Sequence, residues 1–456
     1  MTEEDPVLTP EPDVYGPYGK LPNLARDLKI GKEDAHVINA LEELRFEVET
    51  NQVHIWMSKG QAEIFGSELS TDRIYTFLKG ARLSIWSWTG CELQIEGQPG
   101  SLHKTKDSRV MTMYFNFHNC LEQHREVAVQ QNTTGPRVLI VGAGGSGRSS
   151  LCRVLLNYAA RMRGEDRRNP LFVDLDFVQP DLAVPGTLAC CQFDRPADPM
   201  YDYYYHRKFV LPYGGTSPED NAELLYAQIK RMGEVIDRRF ANDDRARHSG
   251  LIINAFAWVK THGYNHIFTI AKAFKVNFIV VLENDAMYGQ LKNSPAELAS
   301  LEKDLQIVQM PKARGLADRY PEDRRIHRES RVRINIYGHP LRSPKHVPFF
   351  HELDFADVAL CKLGNPTVNA LLLPAGADLT KVKVAATPIQ PNTFMVNHVL
   401  YVTNVDSPDK VLSEGSVIGY LVVKKVDMAT RKITVMTNFE ILPKKVFLDT
   451  EIQFKE

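Results

Sequence analysis

The chain has 456 residues, 43% of them hydrophobic and 24% charged, with a formal net charge of −1. That length and composition predict two to four globular domains with sizeable cores. Near neutrality excludes an overall electrostatic drive towards nucleic acid or membrane, so any basic site has to be local.

Residues 1–35 are rich in proline, glycine and charge, as a mobile tail would be. The acidic start, Met1 to Pro6, is unlike a secretion signal, and no apolar run has membrane-spanning length. Cys91, Cys120, Cys152, Cys190, Cys191 and Cys361 are scattered without zinc spacing and read as reduced thiols of an intracellular protein. Over residues 36–134 short alternating runs recur: Leu44–Thr50, Val53–Met57, Ala62–Phe65, Arg82–Trp88 and Glu92–Ile95. They predict a small β-rich domain. Trp86 and Trp88 are two apart on one strand face, so packing is their expected role. Arg109–Phe115 reads as one more strand, leading into a polar helical connector that ends at Gly135-Pro136.

From residue 135 to 338 strand and helix alternate, as in a doubly wound parallel sheet. Arg137–Val141, Leu171–Leu175, Leu251–Ile253 and Asn277–Leu282 are apolar on both faces and read as central strands. Helices are expected over Arg148–Met162, Asn221–Phe240 and Tyr264–Phe274. Between the first strand and the first helix lies Gly142-Ala-Gly-Gly-Ser-Gly147-Arg-Ser149, a phosphate-loop pattern with arginine where phosphoryl-transfer enzymes carry lysine. Its glycines allow backbone N–H groups to face phosphates, and the helix N-terminus adds its dipole. Ser149 is the expected Mg²⁺ ligand. Arg148 keeps the charge of lysine but brings a broad planar fork. The same glycines also satisfy the dinucleotide fingerprint GxGxxG, with Asp174 and Asp176 as its acidic residue, so the loop by itself leaves both readings open.

Asp176 ends the second predicted strand, where an acid would hold Mg²⁺ or accept a proton; a strand-end turn cap is the plainer alternative. Gln179 and Asp181 follow on the same edge of the sheet. Arg319, Arg324, Arg325, Arg328, Arg331 and Arg333 crowd one stretch and suggest either a phosphate-clamping lid or a solvated helix face offset by Glu322, Asp323 and Glu329. Trp258 could stack on a base or belong to the core. Residues 339–456 return to β texture, with a hairpin of 417–424 and 432–436 and a last strand at Phe447–Phe454. No zinc-protease motif and no metal-binding histidine cluster appears.

Leu44–Glu49, Ala62–Leu69, Phe77–Arg82, the loop at 142–150, Leu155–Tyr158, Val173–Asp176, Val184–Thr187 and Arg195–Ala197 stand in an order that resembles one family. So do Asn254, Trp258–Lys260, Gly263-Tyr264, Leu291-Lys292 and Pro311-Lys312. It is the RNA 5′-hydroxyl polynucleotide kinase family, in the branch that forms a pre-mRNA cleavage and polyadenylation factor subunit. The resemblance implies an α/β P-loop NTPase-type central domain with a parallel sheet, between a β-rich N-terminal domain and a small β-rich C-terminal domain at 339–456. It favours the phosphate loop over the dinucleotide fold and makes an oxidoreductase remote. It implies ATP and Mg²⁺ as cofactors, with Glu43 and Arg82 on the nucleoside side. Gly142, Gly144, Gly145, Ser146, Gly147, Arg148, Ser149 and Ser150 would hold the phosphates, with Ser149 and Asp176 at the metal. Arg319, Arg324 and Arg325 fall on the family's lid; Asp176, Arg148 and Arg324 would be catalytic if the site is active.

Two departures stand out. Lysine is replaced by Arg148, and the family's Thr-x-Gly-Trp clasp survives only as Ala255-Phe256-Ala257-Trp258. The pattern resembles the fungal branch, in which ATP serves structure and kinase activity is lost. The resemblance also implies a nuclear location and a large cleavage-factor partner that binds the RNA polymerase II C-terminal tail. Other cleavage and polyadenylation factors would join it, with indirect RNA contact and no membrane. An active RNA 5′-hydroxyl kinase remains the competing expectation.

Overall fold

The computed structural model describes residues 35–49, 51–106, 109–162, 167–201, 203, 208–257, 263–293, 304–313, 321–341, 346–364 and 384–456. The expected tail up to residue 34, Trp258 and Arg319 lie outside the described residues.

Among the described residues the N-terminal part carries nine strands: β1 (Ala35–Ile38), β2 (Glu42–Glu47), β3 (Gln52–Gly60), β4 (Glu63–Ile64), β5 (Ser67–Glu68), β6 (Tyr75–Leu78), β7 (Arg82–Ser87), β8 (Cys91–Glu96) and β9 (Ser101–Thr105). They form two sheets, ordered β1-β8-β3-β6 and β5-β4-β7-β2-β9. Period-two alternation explains the pairing of faces: Val53, Ile55 and Met57 of β3 turn inward, as do Leu44 and Phe46 of β2, and the two sets share one core.

Helix α1 (Arg109–Gln131) corrects the strand expected at Arg109–Phe115. Locally Val, Thr, Tyr and Phe favour a strand, but the buried positions are Val110, Met111, Tyr114, Phe117, His118, Leu121, Glu122, Arg125 and Ala128. That spacing is a helical stripe, and only a window longer than seven residues reveals it.

The central sheet comprises β10 (Arg137–Gly142), β11 (Leu171–Asp174), β12 (Thr187–Gln192), β13 (Lys208–Pro212), β14 (Leu251–Asn254), β15 (Phe278–Leu282) and β16 (Gln306–Met310), in the order β13-β12-β11-β14-β10-β15-β16. The five strands from β11 to β16 run parallel, whereas β12 and β13 add an antiparallel edge. The sheet is therefore mixed rather than wholly parallel. Helices α2 (Arg148–Arg161), α3 (Ala222–Asn242), α4 (Asp244–Ser249), α5 (Gly263–Phe274) and α6 (Asp285–Lys292) follow the strands, and α7 (Pro321–Tyr337) comes last. Alternate residues of β10, such as Val138 and Leu139, enter two different cores, with α1 and α2 on one face and α3 and α5 on the other.

The C-terminal sheet joins β17 (Phe349–Asp354), β18 (Ala359–Gly364), β19 (Ala385–Pro388), β20 (Val399–Thr403), β21 (Val417–Asp427), β22 (Lys432–Thr437) and β23 (Val446–Asp449) in the order β17-β22-β21-β20-β23-β18-β19. One face shares the α1–α2 core through Val399, Tyr401, Tyr420 and Phe454.

Two buried polar seams fix the domains. Asn157 of α2 donates from Nδ2 to the Phe65 carbonyl (2.7 Å) and accepts at Oδ1 from the Ala197 N–H (2.7 Å), so one amide joins the N-terminal sandwich to the central sheet. Beside it Tyr158 donates to Glu63, whose other oxygen accepts from Arg161 at 2.8 Å. Burial pushes the Glu63 carboxyl up from its ordinary value of 4.5, with the Tyr158 and Arg161 contacts opposing the shift. A raised folded-state pKa means that stability is greatest below the unfolded value and is lost as pH rises through the folded one. Relative to Glu63→Gln, the wild-type thermal midpoint should therefore fall as pH is raised from 4.5; a pH-independent difference would show that Glu63 titrates alike in the folded and unfolded chain.

Candidate functional site

The parallel register brings the C-terminal ends of β11, β14 and β10 together, with Asp174 opposite Asn254 and Asn254 opposite Ile140. Ligands of open α/β sheets bind at that edge. The glycine loop leaves β10 there, and Gly145 and Gly147 adopt positive φ values of 80° and 92°, which glycine alone takes without strain. Gly147 caps α2 without a side-chain bond, so the first-turn N–H groups have no intrahelical acceptor. Ala143, Gly144 and Gly145 are exposed, whereas Ser146 is buried with its Oγ lacking a hydrogen-bond partner. These features suit an anion of several phosphates over the loop.

Arg148 does not reach over the loop. Its Nη1 donates to the Gly142 carbonyl (2.5 Å) and to the Ala143 carbonyl (3.0 Å), and its Nη2 donates to Asp176 Oδ2 (2.7 Å). Both partners of that ion pair are buried. The planar fork explains the geometry, since one nitrogen serves two carbonyls while the other takes a carboxylate; a lysine ammonium has no such spread. Asp176 Oδ1 accepts from the Gln179 N–H at 3.0 Å.

Asp174, one turn of the strand back, is the deeper acid. Its Oδ2 accepts from the N–H groups of Asp181 (2.6 Å) and Leu182 (3.2 Å), and its Oδ1 accepts from Asn254 Nδ2 at 3.1 Å. Burial, then the charges of Asp181 and Asp176, push its carboxyl up to about 8. Asn254 also donates to Ser149 Oγ at 3.3 Å. The two side chains expected at a Mg²⁺ ion, Ser149 and Asp176, are thus both engaged with protein groups.

Helix α7 lies across the loop. A Cβ placed on Gly144 would come within 3.8 Å of Arg324 Nη2 and 3.9 Å of Ala257 Cβ, so Arg324 stands beside the glycine loop. Arg325 does not: it bonds Glu322 and Glu329 of its own helix, which is the solvated-face alternative. Arg331 donates to the Asp181 carbonyl, and Gln179 Nε2 donates to the Arg324 carbonyl at 3.1 Å, tying α7 to the loop after β11. Arg82 joins Glu47 (2.6 Å) and Asp323 of α7 (3.2 Å), bridging the N-terminal sandwich to α7. Glu43 accepts from Ser84 Oγ at 2.7 Å and pairs with Arg45, inside its own sheet.

The eroded clasp is part of the core at its start. Phe256 is buried, with its ring 5.4 Å from Phe177 and 5.2 Å from His266. Trp86 and Trp88 pack edge to face at 5.2 Å, and Trp88 meets Phe115 at 5.2 Å, in keeping with a packing role.

Sequence reasoning placed Arg148 and Asp176 in one site but not in one ion pair. It read Asp323 only as a charge offset on a helix face and passed over Asn157, although Asn157, like Glu63 and Ala197, falls inside the quoted motifs. Motif stretches that carry no chemistry here turn out to carry a domain seam.

Residues 142–338 match the family described as mRNA cleavage and polyadenylation factor CLP1 P-loop. Residues 37–128 match the N-terminal beta-sandwich domain of polyadenylation factor, and residues 347–456 match pre-mRNA cleavage complex II protein Clp1. The polyribonucleotide 5′-hydroxyl-kinase Clp1 of Gallus gallus is 36% identical over 416 residues, 91% of this chain and 95% of that protein. The Homo sapiens protein of the same name is 35% identical over the same shares. A solved Clp1p–Pcf11p complex aligns with a TM-score of 0.79 at 21% identity, covering 93% of this chain and 98% of that one. The glycine loop therefore belongs to a phosphate-binding rather than a dinucleotide fold, and the chain belongs to the Clp1 family of mRNA cleavage and polyadenylation factors.

Proposed function

We propose that this chain is a nucleotide-holding scaffold subunit of the mRNA 3′-end cleavage machinery that does not turn its nucleotide over. The observation that carries the proposal is the buried Arg148–Asp176 pair at 2.7 Å, which withdraws both the cation and the acid expected to act on a phosphoryl group. The loss of Thr and Gly from the clasp, now Ala255 and Ala257, supports it. Gly142, Gly144, Gly145, Ser146, Gly147, Ser149 and Ser150 hold the phosphates of ATP in this reading, with Arg324 above them and Arg82 towards the base.

A ligand wedged between sandwich, central sheet and lid stabilises their joined form by mass action, about 4 kcal/mol at 1,000 times its Kd. Fixed domains offer a fixed surface to a partner. That partner is taken to be a large cleavage-factor subunit reading the RNA polymerase II tail, as Pcf11p accompanies Clp1p in the solved complex. The site of action is the nucleus, alongside the other cleavage factors.

Incubation of the purified protein with γ-labelled ATP, Mg²⁺ and 5′-hydroxyl RNA should give no labelled RNA above a P-loop-deleted control. Family-typical transfer would sink the scaffold reading in favour of an active kinase, the activity named for the relatives at 35–36% identity. Nucleotide released from the freshly purified chain should be ATP.

A further inference from the structure

We infer that the loop takes a nucleoside polyphosphate without a divalent cation; this rests on the nucleotide-holding reading and names its ligand chemistry. Three features make the site cation-poor. The Asp176 carboxylate, the acid expected to face a phosphate-bound ion, is neutralised by Arg148 at 2.7 Å with both groups buried. A divalent ion held by Asp176 would stand against the guanidinium, and like charges in a buried site repel strongly. Ser149 Oγ is hydrogen-bonded by Asn254, whose amide Nδ2 is in turn held by Asp174. Ser149 is therefore tied into a protein network rather than presented to a metal.

The anion-binding half of the site is intact. Gly145 and Gly147 keep the loop in its left-handed turns, and α2 begins without a side-chain cap. Ser146 Oγ is buried with no hydrogen-bond partner. Arg324 stands over Gly144 and supplies charge from the opposite side. Backbone N–H groups and a guanidinium together can balance phosphate charge that a kinase shares with Mg²⁺. The inference is specific to the arginine, because a lysine could not span Gly142, Ala143 and Asp176 at once.

Calorimetric titration of the full chain with ATP, in excess Mg²⁺ and separately in EDTA, tests it. The two Kd values should agree within about threefold for wild type, whereas Arg148→Lys, which releases Asp176, should bind at least roughly tenfold more tightly with Mg²⁺. Asp176→Asn serves as the second variant. It removes the acid expected at a metal and frees Arg148, so its affinity in EDTA should equal or exceed that of wild type. A wild-type affinity that drops tenfold or more in EDTA, or an Asp176→Asn variant that no longer binds ATP, overturns the inference while leaving the non-catalytic scaffold standing. Absence of ATP binding in both buffers overturns the inference together with the nucleotide-holding reading. Inorganic tripolyphosphate should bind more weakly than ATP; equal affinity would assign the loop to bare polyphosphate and overturn the nucleoside element.

Discussion

Replacing Glu122 with Leu is expected to destabilise the protein by about 3–5 kcal/mol, the cost of removing one partner from a buried ion pair. Glu122 lies on α1 between two guanidiniums. Arg125, fully buried on the same helix, pairs with its Oε1, and Arg168 donates to its Oε2 at 2.9 Å. Arg125 Nε also donates to the Ser249 carbonyl at 2.9 Å, the residue before the turn into β14. His118 beside them is neutral near pH 7, because burial holds its pKa down to about 4, so it brings no competing charge. Leucine would match the volume but leave two buried cations without a carboxylate. A drop in thermal midpoint on the order of 10 °C should follow, while Glu122→Gln, which keeps one acceptor oxygen for one of the two guanidiniums, should lose less. Midpoints of all three proteins within about a degree would show that water already screens the cluster.

Gly186→Ala should cost a similar amount by a different route. Gly186 has φ 78°, a conformation that costs an L-residue about 1–2 kcal/mol. An added Cβ would lie 2.4 Å from Tyr401 Oη, a separation no packed pair tolerates. Tyr401 would have to abandon the Pro185 carbonyl, to which it donates at 2.6 Å, leaving buried polar groups unpaired for about 1–3 kcal/mol more. The sum is on the order of 4 kcal/mol, and it falls on the contact that docks the C-terminal sheet. Limited proteolysis should therefore release a C-terminal fragment earlier than from wild type, with a lower thermal midpoint. Tyr401→Phe removes the clashing oxygen, so the double variant should be more stable than the sum of the single losses. Strict additivity would place the damage elsewhere.

The parts of this fold visible in the sequence are those governed by short-range pattern. Fully apolar runs gave β10, β11, β14 and β15 to within a residue or two, and the glycine run marked the turn from β10 into α2. What escaped notice depends on partners far along the chain. Arg109–Phe115 carries strand-forming residues, and the helical stripe emerges only through Ala128. The β12–β13 edge is an ordinary apolar pair whose antiparallel direction nothing local specifies. Arg148 was recognised as an anomaly, yet its meaning lay in an acid 28 residues away. Arg82 has the same history, since Asp323 stands 241 positions further on. A charge run such as Glu322–Arg333 is divided by the fold itself: Arg325 stays on its own helix, Arg331 goes inward, and Arg324 faces the loop.

The loop from Asp176 to Gly186 is held by groups from separate parts of the chain. Asp174 gathers its Asp181 and Leu182 N–H groups, Arg331 of α7 takes the Asp181 carbonyl, and Tyr401 of the C-terminal sheet takes the Pro185 carbonyl. One end of this loop is therefore the acid of the proposed nucleotide site and the other is a domain contact. Linkage makes such a joint reciprocal: a protein that fixes the C-terminal sheet and raises nucleotide affinity by some factor must itself be bound more tightly, by that same factor, when nucleotide is present. On the proposed reading of a site that holds its nucleotide without phosphoryl transfer, this shared coupling free energy is the quantity on which selection can act, and the nucleotide would be a measure of assembly rather than a fuel.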